Sequence, residues 1–140
     1  MPRKDTYHEA VRVALEKDGW TITHDPLTVP TQGMDLYIDL GAERVVIGAE
    51  RDGEQIEVEI KSLKRKSYFY DFYQAFGQFL IYRLGLEKRK ILRILFLALP
   101  NTAFQQMQKV EIFRDACKTF SVHLLVFDEK TQTISQWIKN

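Results

Sequence analysis

The chain has little cysteine: Cys117 is the single one in 140 residues. One thiol excludes an internal disulfide and a cysteine-based zinc site, and it fits a reducing compartment, so a cytoplasmic protein is expected. Long apolar runs are missing too. The strongest, Ile91 to Leu99, covers nine residues and is broken by Arg93, far short of the ~20 that a bilayer-crossing helix needs. No apolar stretch follows Met1-Pro2-Arg3-Lys4-Asp5, so no signal peptide is expected. Repeats, low-complexity tracts and linkers are absent. His8, His24 and His123 lack the paired spacing of a metal-binding helix and read as surface or hydrogen-bonded residues.

What remains is an ordinary globular composition, 45% hydrophobic and 28% charged. Residues 1–140 should form one domain that buries about two-thirds of its unfolded surface. The net charge of +1 conceals an uneven distribution. Residues 1–60 carry six basic and thirteen acidic side chains, residues 61–93 nine and two, and residues 94–140 five and four. An acidic half therefore abuts a basic strip, an arrangement that admits an anionic partner beside clustered carboxylates.

Tyr7, Ala10, Val11, Ala14 and Leu15 follow the spacing of one helix face. Thr6 and Glu9 form a capping box, and Gly19 is a stop signal. Turn signals at Asp25-Pro26 and Pro30 precede a period of two, with Leu36, Ile38 and Leu40 alternating with Asp35, Tyr37 and Asp39. Val45–Arg51 and Glu54–Lys61 flank Asp52-Gly53, the signature of a two-residue hairpin turn. Ser67–Arg83 returns to helical spacing with Phe72, Ala75, Phe76, Phe79 and Leu80 on one face, and Gly85 is expected to end it. Ile91–Leu99 reads as a strand covered on both sides. A third helix is expected over Thr102–Thr119, then closing strands at Val122–Phe127 and Ile134–Ile138. The expected fold is α/β, a mixed sheet flanked by helices, in the order α-β-β-β-α-β-α-β-β.

A tight hairpin would set Ile47 opposite Val58, Val46 opposite Glu59 and Arg44 opposite Lys61. Ile56, Val58 and Ile60 then face the core, while Glu57, Glu59 and Lys61 share the other face. Burying unpartnered charge is costly, so that face must be wet, internally paired or occupied by a metal. Asp39 can approach Glu59 and Lys61 if the chain bends at Gly41. Glu43 is the nearest substitute, and Asp35 would sit about 13 Å further away.

An upstream acid followed by Glu59-x-Lys61 resembles the PD-(D/E)xK nuclease signature, although Ile38 stands where the signature has proline. Two carboxylates offer hard oxygen ligands to Mg²⁺ or Mn²⁺, and a lysine on the same face can orient a water or stabilise developing charge. Gln78 and Tyr82 have the Q-x-x-x-Y spacing found on the helix after the E-x-K strand in RecB-like nucleases, one face of a helix. Lys64, Arg65, Lys66, Arg83, Lys88, Arg89 and Lys90 would contact phosphates. Phe72 belongs to the core, whereas Tyr68, Phe69, Tyr70 and Tyr73 are available for stacking bases or docking a protein. With charge near neutral, a monomer should bind DNA weakly, and a homodimer would join two basic strips.

Several ordered strings together resemble the XisH family: His8-Glu9-Ala10-Val11, Gly19-Trp20-Thr21-Ile22-Thr23-His24-Asp25-Pro26, Ile38-Asp39-Leu40-Gly41-Ala42-Glu43, Val58-Glu59-Ile60-Lys61-Ser62 and Ala75-Phe76-Gly77-Gln78. The resemblance implies a restriction-endonuclease-like α-β-β-β-α-β core and a role in controlling excision of a DNA element, the fdxN element of cyanobacteria. It also implies companion proteins of the XisI type. The nuclease motif, carried over residue by residue, would make Asp39 and Glu59 metal ligands, Lys61 a water-orienting group and Gln78 an assistant. The competing expectation is a noncatalytic module of the same fold that binds an XisI-type partner, since a fold is not a function.

Overall fold

A computed structural model of the chain describes residues 7–44, 53–63 and 68–140. Helix α1 (His8–Lys17) is followed by strands β1 (Thr21–His24), β2 (Leu27–Thr31), β3 (Met34–Ile38), β4 (Leu40–Arg44) and β5 (Glu54–Ile60). Then come α2 (Tyr68–Lys88), β6 (Ile94–Pro100), α3 (Asn101–Gln108), α4 (Glu111–Thr119), β7 (His123–Asp128) and β8 (Thr133–Ile138). Six strands form one mixed sheet in the order β1-β4-β5-β6-β7-β8, and β2 and β3 form a separate two-stranded sheet. The β1–β4–β5 meander is antiparallel, and α2 carries the chain over to β6, parallel to β5. With the β2–β3 hairpin set aside, α1-β1-β4-β5-α2-β6 is an α-β-β-β-α-β succession. The mixed sheet flanked by helices agrees with the sequence reading.

Two apolar layers hold the sheet. On one face Val11 and Leu15 of α1 pack with Leu40, Ile56, Val58, Ile60 and Phe96. On the other, Phe72, Ala75 and Phe79 of α2 pack with Leu95, Leu97 and Leu99, joined by Phe113 and Cys117 of α4 and by Val29, Leu36 and Ile38 of the hairpin. β6 is therefore covered on both sides, as its continuous apolar run requires. Burial pushes the Cys117 thiol up to about 11, which leaves it an inert core residue.

Several expectations need correction. β4 and β5 pair Leu40 with Val58, Ala42 with Ile56 and Arg44 with Glu54, not Arg44 with Lys61, Val46 with Glu59 or Ile47 with Val58. Each β5 residue thus meets a β4 residue seven positions earlier in the chain than a two-residue turn demands. The strand expected at 45–51 and Asp52 of the expected Asp52-Gly53 turn lie outside the described residues, as does Thr6 of the capping box. Tyr7, not Thr6, occupies the α1 N-cap, with no side-chain cap bond. Gly19 does end α1, with φ +90°. Gly85 does not end α2, which runs on to Lys88. A Cβ there would stand 2.5 Å from Leu36 Cδ1, so glycine serves the contact with β3 instead. The third helix is two, because Val110 is extended (φ −108°, ψ 109°) between α3 and α4. β1 and β2 were not anticipated. Among the described residues no helix is long and apolar enough to cross a membrane.

Candidate functional site

Asp39 stands alone between β3 and β4, where the chain leaves the two-stranded sheet and enters the large one. Ile38 and Leu40, two residues apart, consequently bury into opposite cores. The hinge sets Asp39 beside the C-terminal end of β5, a central strand that alternates Ile56, Val58 and Ile60 on the α1 side with Glu57 and Glu59 on the other. The Asp39 amide donates to Glu59 Oε1 at 3.3 Å. The Ile60 amide donates to Asp39 Oδ2 at 2.9 Å. Lys61 Nζ lies 3.5 Å from Glu59 Oε2.

Burial dominates the electrostatics. It raises the Asp39 carboxyl, against the pull of the Ile60 amide and of nearby His8 and Lys61. It lifts Glu59 to about 8, with repulsion from Asp39 adding to the rise and Lys61 opposing it. Both shifts run the same way, as expected where two close carboxylates out of water resist ionising together. Tyr82 is raised first by burial and then by the negative charge of Glu59, with Asp39 contributing less. Its hydroxyl accepts a 2.6 Å bond from Gln78 Nε2. The Q-x-x-x-Y pair thus stands on α2 within the field of both acids.

Asp35 is exposed on β3 opposite Pro30, and Glu43 is exposed on β4 opposite Gln55. Gln55 lies four residues before Glu59, about 13 Å along the strand. Of the three upstream acids, Asp39 is the one that meets Glu59. Lys64, Arg65 and Lys66 lie outside the described residues. Arg83 donates to the carbonyls of Phe120 at 2.8 Å and Ser121 at 2.7 Å and packs over Phe79, so it fastens α2 to the end of α4. Glu9 is exposed on the first turn of α1.

Two groups escaped the sequence reading. His8 is buried, with Nε2 2.7 Å from Asp25 Oδ1, and Arg12 also pairs with Asp25. No spacing rule marks a lone histidine at a helix start. Glu57 is 0% exposed, bound by Arg93 Nη1 at 3.2 Å, which also donates to Thr23 Oγ1 at 2.9 Å. Burial raises Glu57 to about 7 against the attraction of Arg93. Gly41 admits this carboxylate, since a Cβ there would lie 2.9 Å from Glu57 Oε2 and 2.8 Å from His24 Nδ1. The arginine that interrupts the apolar run is the counter-ion of a buried acid.

Comparison with known proteins adds sequence and shape. The profile of the XisH protein family matches residues 1–135. The crystal structure of an XisH family protein from Nostoc punctiforme is 39% identical, with a TM-score of 0.84 over 96% of this chain and 99% of that one. An fdxN element excision controlling factor protein from Anabaena variabilis is 38% identical, with the same TM-score of 0.84 and the same coverage of 96% and 99%. Among curated proteins no relative matches.

Proposed function

The chain belongs to the XisH family, and on that premise we propose that it is a DNA-associated factor controlling excision of a DNA element. In this reading it works through a phosphodiester-hydrolysing site of the PD-(D/E)xK type. The observation that carries the proposal is the meeting of Asp39 and Glu59 in a shared, mostly buried hydrogen-bonded pair with the Lys61 ammonium 3.5 Å away. Evolved cores seldom retain two adjacent acids away from water without a counter-charge or a use for one.

The donor set fits Mg²⁺ or Mn²⁺. Among the described residues no three acidic, histidine or cysteine side chains gather to cage an ion by themselves. A magnesium site can be built on one or two carboxylates, with the other positions kept for water and phosphate, and Asp39 and Glu59 are two such donors. Backbone amides already hold one oxygen of each acid, so both carboxyls are oriented before a ligand arrives. When bound, the cation would supply a Lewis acid for the phosphate and a lowered pKa for a water. Lys61 would orient that water and offset charge developing on the phosphate. Gln78, with its carbonyl oxygen left to accept, and the Tyr82 hydroxyl would position water or nucleotide at the edge of the site.

Calorimetric titration with Mn²⁺ is the first test. Wild type should bind and Asp39→Ala should not; absence of binding in wild type overturns the mechanism. Incubation with single-stranded, duplex and branched DNA in Mn²⁺ should then give cleavage that Asp39→Ala and Lys61→Ala both lose. No cleavage on any substrate, with tight binding of an XisI-type companion, would replace catalysis by the noncatalytic module.

A further inference from the structure

The ribbon that leaves the large sheet keeps its register across the crossing. His24 of β1 stands opposite Gly41 of β4, and Leu27 of β2 stands opposite Ile38 of β3. That register sets Asp25 opposite Leu40 and Pro26 opposite Asp39. The two points at which the chain changes sheets therefore lie side by side, one carrying Asp25 and the other Asp39.

Asp25 is gripped from α1. His8 and Arg12 stand four residues apart, on one face of that helix. His8 Nε2 lies 2.7 Å from Asp25 Oδ1, and Arg12 Nη1 pairs with Oδ2, so both oxygens of one carboxylate are engaged. His8 is 5% exposed and the Asp25 side chain 18%. A carboxyl group held at both oxygens has little freedom to turn.

The same helix underlies the candidate site. Val11 and Leu15 pack with Leu40, which follows Asp39, and with Ile60, which follows Glu59. Apolar packing of this kind is strong but tolerates repacking. Buried ionic groups add little stability over apolar ones of the same shape, and their attested use is to fix one arrangement among several. Here the arrangement fixed is that of α1 against the crossing, where Asp39 has to meet Glu59. His8 is also close enough to favour the charged form of Asp39.

We propose that Asp25, clamped by His8 and Arg12, positions Asp39: the clamp fixes the ribbon where it changes sheets and so seats the Asp39 carboxylate on the Ile60 amide. The three are positioning residues that act through Asp39. The clamp stands on geometry alone, and only its consequence for metal binding rests on the reading of Asp39 as a ligand.

Amide hydrogen exchange on the whole chain, followed by NMR without metal, tests the clamp. Two amides report the geometry directly: Ile60, which donates to Asp39 Oδ2, and Asp39, which donates to Glu59 Oε1. In Arg12→Gln and in His8→Gln both should speed up by roughly tenfold or more relative to the amides of Leu97 and Val126, the scale of one charge-assisted hydrogen bond. Arg12→Lys, which keeps the charge, should stay nearer to wild type than Arg12→Gln. Unchanged exchange at Ile60 and Asp39 overturns the proposal. The same acceleration at all four amides does so equally, because the clamp would then serve overall stability alone. Should His8→Gln fail to fold, the Arg12 variants decide, since that side chain is partly exposed. Mn²⁺ titration adds a second readout, with both glutamine variants binding about tenfold more weakly than wild type. Wild-type affinity in both variants overturns the clamp. A wild type that binds no Mn²⁺ overturns the ligand reading of Asp39 instead, and exchange still decides the clamp.

Discussion

Asp39 and Glu59 are held by each other's backbone: the Asp39 amide binds the Glu59 carboxylate at 3.3 Å, and the amide following Glu59 binds the Asp39 carboxylate at 2.9 Å. The reciprocity ties a hinge between two sheets to the end of a central strand. It also means that the two acids cannot move apart without breaking main-chain hydrogen bonds. Their orientation is set by the fold before any ligand binds, which is what a site that works by positioning requires.

Replacing one acid by its amide separates folding from ligation. Glu59→Gln removes the repulsion with Asp39 while keeping the shape of the side chain. The variant should melt at or above the wild-type temperature without metal at pH 8. Mn²⁺ should raise the wild-type melting temperature and leave the variant unmoved. An equal shift in both would detach Glu59 from the proposed ligand set.

Stability should fall as pH rises. Glu59 and Glu57 are lifted in the folded protein to about 8 and about 7, from an ordinary value of 4.5. The folded state therefore holds protons that the unfolded chain has released. Their stabilising contribution is complete below about pH 4.5 and is lost progressively as pH climbs through 7 and 8. Urea unfolding at pH 5.5 and pH 8 should show the higher midpoint at pH 5.5. Glu57→Gln should flatten the part of the slope that lies between 4.5 and 7.

The alternation along β5 was legible, because period two follows from strand geometry whatever the register. The register itself was misread. Asp-Gly is a strong hairpin signal, but Arg44 pairs with Glu54, and their side chains form an ion pair at 2.7 Å. Asp39 reaches Glu59 because the chain changes sheets there, not because a hairpin carries it past. No periodicity encodes that hinge, since Leu36, Ile38 and Leu40 keep one parity across it. β1 and β2 are four and five residues long, one ending against a turn signal and the other containing Pro30, too little alternation to detect. The break at Val110 has neither glycine nor proline beside it. The burial of Glu57 depended on Arg93, 36 residues away, a pairing that only tertiary structure reveals.

That pairing makes Arg93 costly to remove. Arg93→Met takes the cation from Glu57, whose ionised form would then stand unpaired at 0% exposure, a situation worth about 3–5 kcal/mol of destabilisation in comparable buried pairs. The loss should be largest at pH 8 and smaller at pH 5.5, where Glu57 carries its proton. The double variant Glu57→Gln with Arg93→Met should recover much of it, since no charge then remains to solvate. Denaturant titrations of the three variants at both pH values measure the coupling directly.

The two glycines of α2 should respond in opposite directions to the same change. Gly85→Ala drives a methyl group to within 2.5 Å of Leu36 Cδ1, and overpacking of that kind costs about 1–3 kcal/mol. Gly77→Ala meets nothing in its own chain, so it should stabilise by about 1 kcal/mol through helix propensity. Denaturant titrations of the two variants beside wild type measure both signs, and a loss of stability from Gly77→Ala would mean that the open space at this position is needed.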